Sequence, residues 1–170
     1  MGSRVPLVKT LIFTLLVPGT VTVLVPYWLL RHPHFALACA SPINLFSYLG
    51  IGGMALGAAV SLWCAWDFAV KGSGTPAPID PPKELLVKGL YRYVRNPMYV
   101  GVLIVLLGEA FLFCSVDLLF YSVIMLVVFH LFVVLYEEPT LAKKFGESYR
   151  RYCLEVPRWW PRFGLRGLVM

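Results

Sequence analysis

Four stretches of this chain, residues 10–30, 43–66, 97–116 and 118–136, are almost free of charge, and the polar side chains crowd between and after them. Glu109 and His130 are the exceptions inside the stretches. Each has the roughly 20 residues that an α-helix needs to cross a bilayer core of about 30 Å. The pattern predicts an all-α fold, a polytopic membrane bundle of four transmembrane helices. Ser115, Val116 and Asp117 are nearly all that joins spans three and four, so those two form a tight antiparallel hairpin with their far ends side by side. The first span is too long for the apolar part of a signal peptide and lacks a small-residue cleavage site. It reads as a retained helix, kinked at Pro18 and Pro26.

After Pro139 the period changes. Leu141, Phe145, Tyr149 and Tyr152 share one helical face, with Lys143, Lys144, Glu147, Arg150 and Arg151 mostly opposite. This predicts a cytoplasmic amphipathic C-terminal helix, lying on the membrane surface or folded under the bundle. Residues 156–162 cannot be helical throughout, because Pro157 and Pro161 each disfavour helix in the residue before them. Trp159 and Trp160 suit a headgroup-level anchor. Between spans two and three, residues 72–82 run from Gly/Ser to proline-rich, which fits either a spacer or a stiffened lid over the cytoplasmic face. No internal repeat divides the chain, so residues 1–170 read as a single membrane domain with a tail over 137–170.

Composition agrees with the pattern. The 170 residues are 59% hydrophobic and 14% charged, and the mean hydropathy is +0.74, far above what a soluble domain needs. The net charge of +6 is unevenly placed. Lys71, Lys83, Lys88, Arg92 and Arg95 fall between spans two and three, and a second basic group follows span four, whereas the other two connections hold only Arg31. By the positive-inside rule the protein is an integral, multi-pass membrane protein with both termini cytoplasmic. The basic excess serves topology and attraction to anionic lipid, about 1 kcal/mol per residue near the surface; no nucleic-acid motif accompanies it. Cys39, Cys64, Cys114 and Cys153 are scattered without metal-ligand spacing, so neither a metal site nor a disulfide framework is expected.

The densest chemistry is residues 91–101, where Tyr91, Arg92, Tyr93, Arg95, Asn96 and Tyr99 surround the rigid break at Pro97. Directional donors at a membrane boundary point to a held polar, anionic group. The hairpin brings this stretch beside Glu137 and Glu138, carboxylates at the expected end of span four, where the helix dipole favours cations. They call for a partner, either a cationic ligand or Arg92 and Arg95. His130, seven residues before Glu137, shares its helical face about 10 Å away. Glu109, about 18 Å into span three, reads as a structural polar contact, with His130 a candidate partner. Asp67 reads as a boundary residue, and Gly50, Gly52, Gly53 and Gly57 as small residues that let helices approach.

Four ordered pieces carry a family likeness: residues 95–101, then 137–141, then Phe145-Gly146-Glu147-Ser148-Tyr149 with Tyr152, and finally Val156-Pro157-Arg158-Trp159. Over residues 74–162 the chain resembles the isoprenylcysteine carboxyl methyltransferase and phospholipid methyltransferase group of integral membrane enzymes. The resemblance implies S-adenosylmethionine as cofactor, bound at the cytoplasmic ends of the last two spans, and a lipophilic or prenylated acceptor arriving from the membrane. It implies that Arg95, Asn96, Pro97, Tyr99 and Gly101, with Tyr91 at the head of the stretch, bind the cofactor together with Glu137 and Glu138. Many relatives carry histidine where Asn96 stands. For a carboxylate acceptor Arg95 or Arg92 orients the nucleophile; for a phospholipid amine Glu137 or His130 is the candidate base. Two alternatives stand beside this reading: an NADPH-dependent membrane reductase of the sterol reductase type, and a non-enzymatic membrane scaffold.

Overall fold

A computed structural model describes residues 16–33, 45–71, 85 and 87–161, without the side chains of 68–71. The proline-rich stretch 72–82 lies outside the described residues. The described chain is helical, with no strand among the described residues. Helix α1 covers Leu16–Arg31, α2 Leu45–Lys71, α3 Pro97–Leu112 and α4 Val116–Phe132. Two short helices follow, α5 over Glu138–Phe145 and α6 over Glu147–Glu155. Local signals set the boundaries. Pro97 occupies the first turn of α3, where its missing N–H costs nothing. Ser115 caps α4 by accepting from Leu118 N–H at 3.3 Å.

Four spans were expected, and among the described residues two helices are long and apolar enough to cross a membrane: Leu45–Asp67, and the continuous rod Val116–Phe145. The described part of α1 and all of α3 are shorter apolar helices. Helix α3 stops at Leu112 because the chain turns at once, with Cys114 at a positive φ of 46°. Cys114 is also disulfide-bonded, while Cys64 and Cys153 are free thiols. The scattered cysteines hid this pairing, since a disulfide needs proximity in space and no particular spacing in sequence.

Helices α2 and α3 make the principal packing seam. A Cβ added to Gly50 would lie 2.7 Å from Gly108 O, and one added to Gly108 would lie 2.7 Å from Gly50 O. At Gly57 an added Cβ would overlap Gly101 O outright. The backbones therefore touch, which in lipid is a main route to tight helix association. Gly53 meets the seam in ordinary contact, with Gly108 Cα 3.5 Å from its Cβ position. Gly52 does not take part: it is exposed and has nothing within 4 Å. A step of about 100° per residue turns it off the face that Gly50, Gly53 and Gly57 share.

Prolines shape α1 and α4. Each contains a π-turn of five residues, Thr20–Leu24 in α1 and Val133–Glu137 after α4, and each π-turn ends two residues before a proline, Pro26 or Pro139. Val25 N–H bonds Thr20 O, and Glu138 N–H bonds Val133 O. Proline lacks an N–H and its ring crowds the carbonyl four residues earlier; widening the preceding turn moves that carbonyl aside. Span four therefore does not end at Tyr136 as expected but runs on as a helix to Phe145. In α1 the shift takes Val25 N–H away from Val21 O, and the next residue, Pro26, has none to offer. Tyr121 OH on α4 donates to that carbonyl at 3.1 Å, which ties α1 to α4 and satisfies a group that lipid cannot.

The amphipathic tail folds under the bundle. Gly146, at φ 55°, breaks it into α5 and α6, and its apolar face stays continuous. Tyr149, Tyr152 and Val156 are buried against Leu85, Val87, Leu141 and Phe145. Asp67 proves to be more than a boundary residue. It is 5% exposed and packs against Gly89, whose positive φ of 59° opens the short 3₁₀ turn Gly89–Arg92.

Candidate active site

The tail's last described segment crosses the start of α3. Arg95 N–H donates to Pro157 O at 2.9 Å, and Asn96 Nδ2 donates to Arg158 O at 3.2 Å. From α6, Tyr152 OH donates to Tyr91 O at 2.7 Å. Arg158 grips Glu138 with both ends of its fork, Nε to Oε1 at 2.7 Å and Nη2 to Oε2 at 2.8 Å. Arg95 Nη1 donates to Glu138 Oε1 at 2.9 Å and to Cys153 Sγ at 3.0 Å. The charge-assisted pairs draw residues from three distant parts of the chain into one junction. Hydrogen bonding to Glu138 raises the Arg158 guanidinium above its ordinary pKa. Burial pushes the phenols of Tyr91 and Tyr152 well up, so both remain neutral donors.

Beside this junction opens a cleft whose empty space, open solvent included, is ≈ 600 Å³. Tyr91, Arg95, Asn96, Tyr99 and Glu137 line its polar end. Tyr99 OH donates to Glu137 Oε2 at 3.1 Å, and the Tyr99 ring packs on Phe129 with centroids 4.9 Å apart. Arg95 Nε is buried with no hydrogen-bond partner among the described residues. Val17, Pro18 and Val21 of α1, with Met98, Val102 and Phe129, line the apolar remainder. One cleft thus holds a carboxylate, a guanidinium with a spare donor, and an apolar wall.

The sequence of a family described as phospholipid methyltransferase matches residues 45–148, which take in α2, the 91–101 stretch, the hairpin, Glu137 and Glu138. The chain belongs to the phospholipid methyltransferase family. No curated protein and no solved structure matches it. Family membership makes it a membrane methyltransferase, and the region matched leaves out α1 and the segment carrying Arg158.

Within this member of the family the expected site residues part company. Tyr91, Arg95, Asn96, Tyr99 and Glu137 face the cleft together. Pro97 is buried at the helix start, and Gly101 is turned to α2, where an added Cβ would meet Ser61 Oγ at 2.5 Å. Glu138 points away from its neighbour and into the arginines, as adjacent helical residues must. Arg92 is exposed outside the cleft.

His130 also lies elsewhere: it is exposed, and its Nδ1 accepts from Trp159 Nε1 at 3.2 Å. The π-turn between them rotates Glu137 by roughly 90° from the face that a regular helix would share with His130. His130 is thus engaged by Trp159, and no bond joins it to Glu109 among the described residues. Glu109 is 7% exposed, and its Oε2 has no partner among the described residues. Sequence reasoning missed Arg158 as the partner of Glu138, and Val17, Pro18 and Val21 as a wall. Arg158 had a signal, a cation held between two prolines after an amphipathic helix. The α1 wall had none beyond Pro26.

Proposed function

We propose that the protein is an S-adenosylmethionine-dependent methyltransferase whose acceptor is the amine of a phospholipid. The observation that carries this reading is the single cleft in which Glu137 and Arg95 share a polar end that grades into an apolar one. The residues present fit the cofactor. The buried, unpartnered Arg95 Nε suits its carboxylate, and the Glu137 carboxylate suits its cationic groups. When bound, S-adenosylmethionine supplies a methyl activated on sulfur: the S–C bond breaks as the acceptor's N–C bond forms, leaving a neutral thioether.

The chain's own part is alignment, exclusion of water and handling of one proton. Tyr99 fixes Glu137 through its 3.1 Å hydrogen bond, so the carboxylate faces the cleft in one orientation. Glu137 takes the proton that the acceptor's ammonium must lose before its lone pair can attack. Arg95 is held by Glu138 through Nη1, and its Nε keeps no partner among the described residues. The Arg158–Glu138 pair positions Arg95 and touches no reactant. A prenylcysteine-type carboxylate is the second reading, favoured by the same spare Arg95 donor.

The basic residues that flank α2 and α3 on one side support a cytoplasmic face for this end of the bundle. The test is incubation of the purified protein with methyl-labelled S-adenosylmethionine and phosphatidylethanolamine vesicles. Label should enter the lipid, and Glu137→Gln should lower the rate by about 100-fold. Stabilisation by NADPH and not by S-adenosylmethionine would overturn the reading in favour of a reductase.

A further inference from the structure

Helix α1 lies outside the residues that match the family, yet it supplies one side of the cleft. Val17, Pro18 and Val21 line it on the α1 side, Val17 at the rim with 46% exposure, while Leu16, Val23 and Leu24 of the same helix are absent from the lining and more than 60% exposed each. The wall is placed deliberately. Pro26 forces the π-turn, the π-turn frees Val21 O, and Tyr121 OH takes that carbonyl at 3.1 Å, fixing Val21 against α4. Opposite stands Phe129, itself packed on Tyr99.

The polarity of the lining is ordered along α3. Asn96 and Tyr99 lie at its start, and Val102 lies about 7.5 Å beyond Pro97 toward the hydrocarbon. With the cofactor at the polar end, a phospholipid whose head meets it there has its apolar chain directed inward, the orientation it already has in its leaflet. The apolar end adjoins outward faces of α1 and α4 that meet lipid, so a chain enters without crossing water. We infer that Val17, Pro18, Val21 and Phe129 form the seat for one acyl chain of a membrane phospholipid, and that α1 is the element that sets acceptor chain preference. This rests on the methyl-transfer reading for its meaning in catalysis, though the seat itself can be tested without it.

The full chain is reconstituted in nanodiscs with phosphatidylethanolamine that bears a diazirine in one acyl chain, irradiated, and its labelled residues mapped. Label is expected at Val17, Val21 and Phe129 in excess of Leu16, Val23 and Leu24, and Val21→Trp should remove that excess. For the wild type and Val21→Trp, the ratio of kcat/KM for long-chain over short-chain phosphatidylethanolamine is then measured. It should fall by about tenfold in the variant. If Val21→Trp fails to fold, Val21→Ala is read instead, and the ratio should shift toward bulkier chains.

Equal labelling of inward and outward α1 residues, or an excess that Val21→Trp leaves in place, overturns the seat whatever the activity. Labelling by a diazirine-bearing prenylcysteine in place of the phospholipid overturns the assignment to an acyl chain. Persistent labelling at the seat without any methyl transfer or S-adenosylmethionine binding upholds the seat and overturns the functional reading alone.

Discussion

Along the α2–α3 seam two helices touch because Gly50, Gly57 and Gly108 have no side chain to hold them apart; at the mouth of the cleft the start of α3, the π-turn and the tail are held by directed bonds to Arg95, Asn96 and Glu138. The seam depends on shape over a long contact, so its energy is dispersed and an added atom harms it. The junction depends on charge at a few atoms, so its energy is concentrated and a removed atom harms it. The rigid half of the molecule supports α3, and the polar half positions the side chains that α3 presents. That division suits a reaction whose main demand is alignment.

The junction should break most severely. In Glu138→Ala both Arg95 and Arg158 lose their carboxylate, and Arg95 is only 13% exposed. Stranding a largely buried charge should cost about 3 kcal/mol, with methyl transfer falling alongside; thermal unfolding in detergent and the label-transfer assay read the two effects. Arg151→Ala is the matched control. Its pair with Glu147 spans 3.7 Å with side chains 77% and 68% exposed, so its loss should cost less than about 0.5 kcal/mol. Equal losses would show that buried, forked geometry contributes nothing here.

The seam comes next. Gly57→Ala puts a methyl into Gly101 O, and overpacking of this kind costs about 1–3 kcal/mol. Gly52→Ala, five residues away with open space around it, should stay within about 0.5 kcal/mol of the parent. Thermal unfolding of the two single variants decides whether the seam, and not helix propensity, sets the outcome.

Much of this arrangement was legible in the sequence. The short connection at Ser115, Val116 and Asp117 had to set Arg95 and Tyr99 beside Glu137 and Glu138, and the glycines of α2 read as a close-approach face, which holds for all of them but Gly52. What was hidden followed from two departures from regular helix. The π-turn before Pro139 rotated Glu137 away from His130, so a face drawn with 3.6 residues per turn named the wrong companion. The extended chain at Pro157 brought Arg158 back onto Glu138, a contact that periodicity cannot register because it joins a loop to a helix. Val21 was hidden for a related reason: an orphaned carbonyl becomes visible only once the hydrogen-bond register is known.

That orphan gives the smallest and most specific test. Tyr121→Phe removes one hydroxyl and leaves the ring, so the loss is confined to the bond with Val21 O at 3.1 Å. A neutral hydrogen bond contributes about 1 kcal/mol, and side-chain bonds between membrane helices average about 0.6 kcal/mol. Unfolding temperature should therefore move only slightly. The larger change should be local, as faster amide exchange over residues 20–25, whose π-turn loses its tether to α4. Gly57→Ala should leave that segment as protected as in the parent, since the seam and the α1 tether share no residue. If Tyr121→Phe instead loosened α2 and α3 to the same degree, the two halves would be one cooperative unit, and the separation between shape and directed bonds would be a matter of description only.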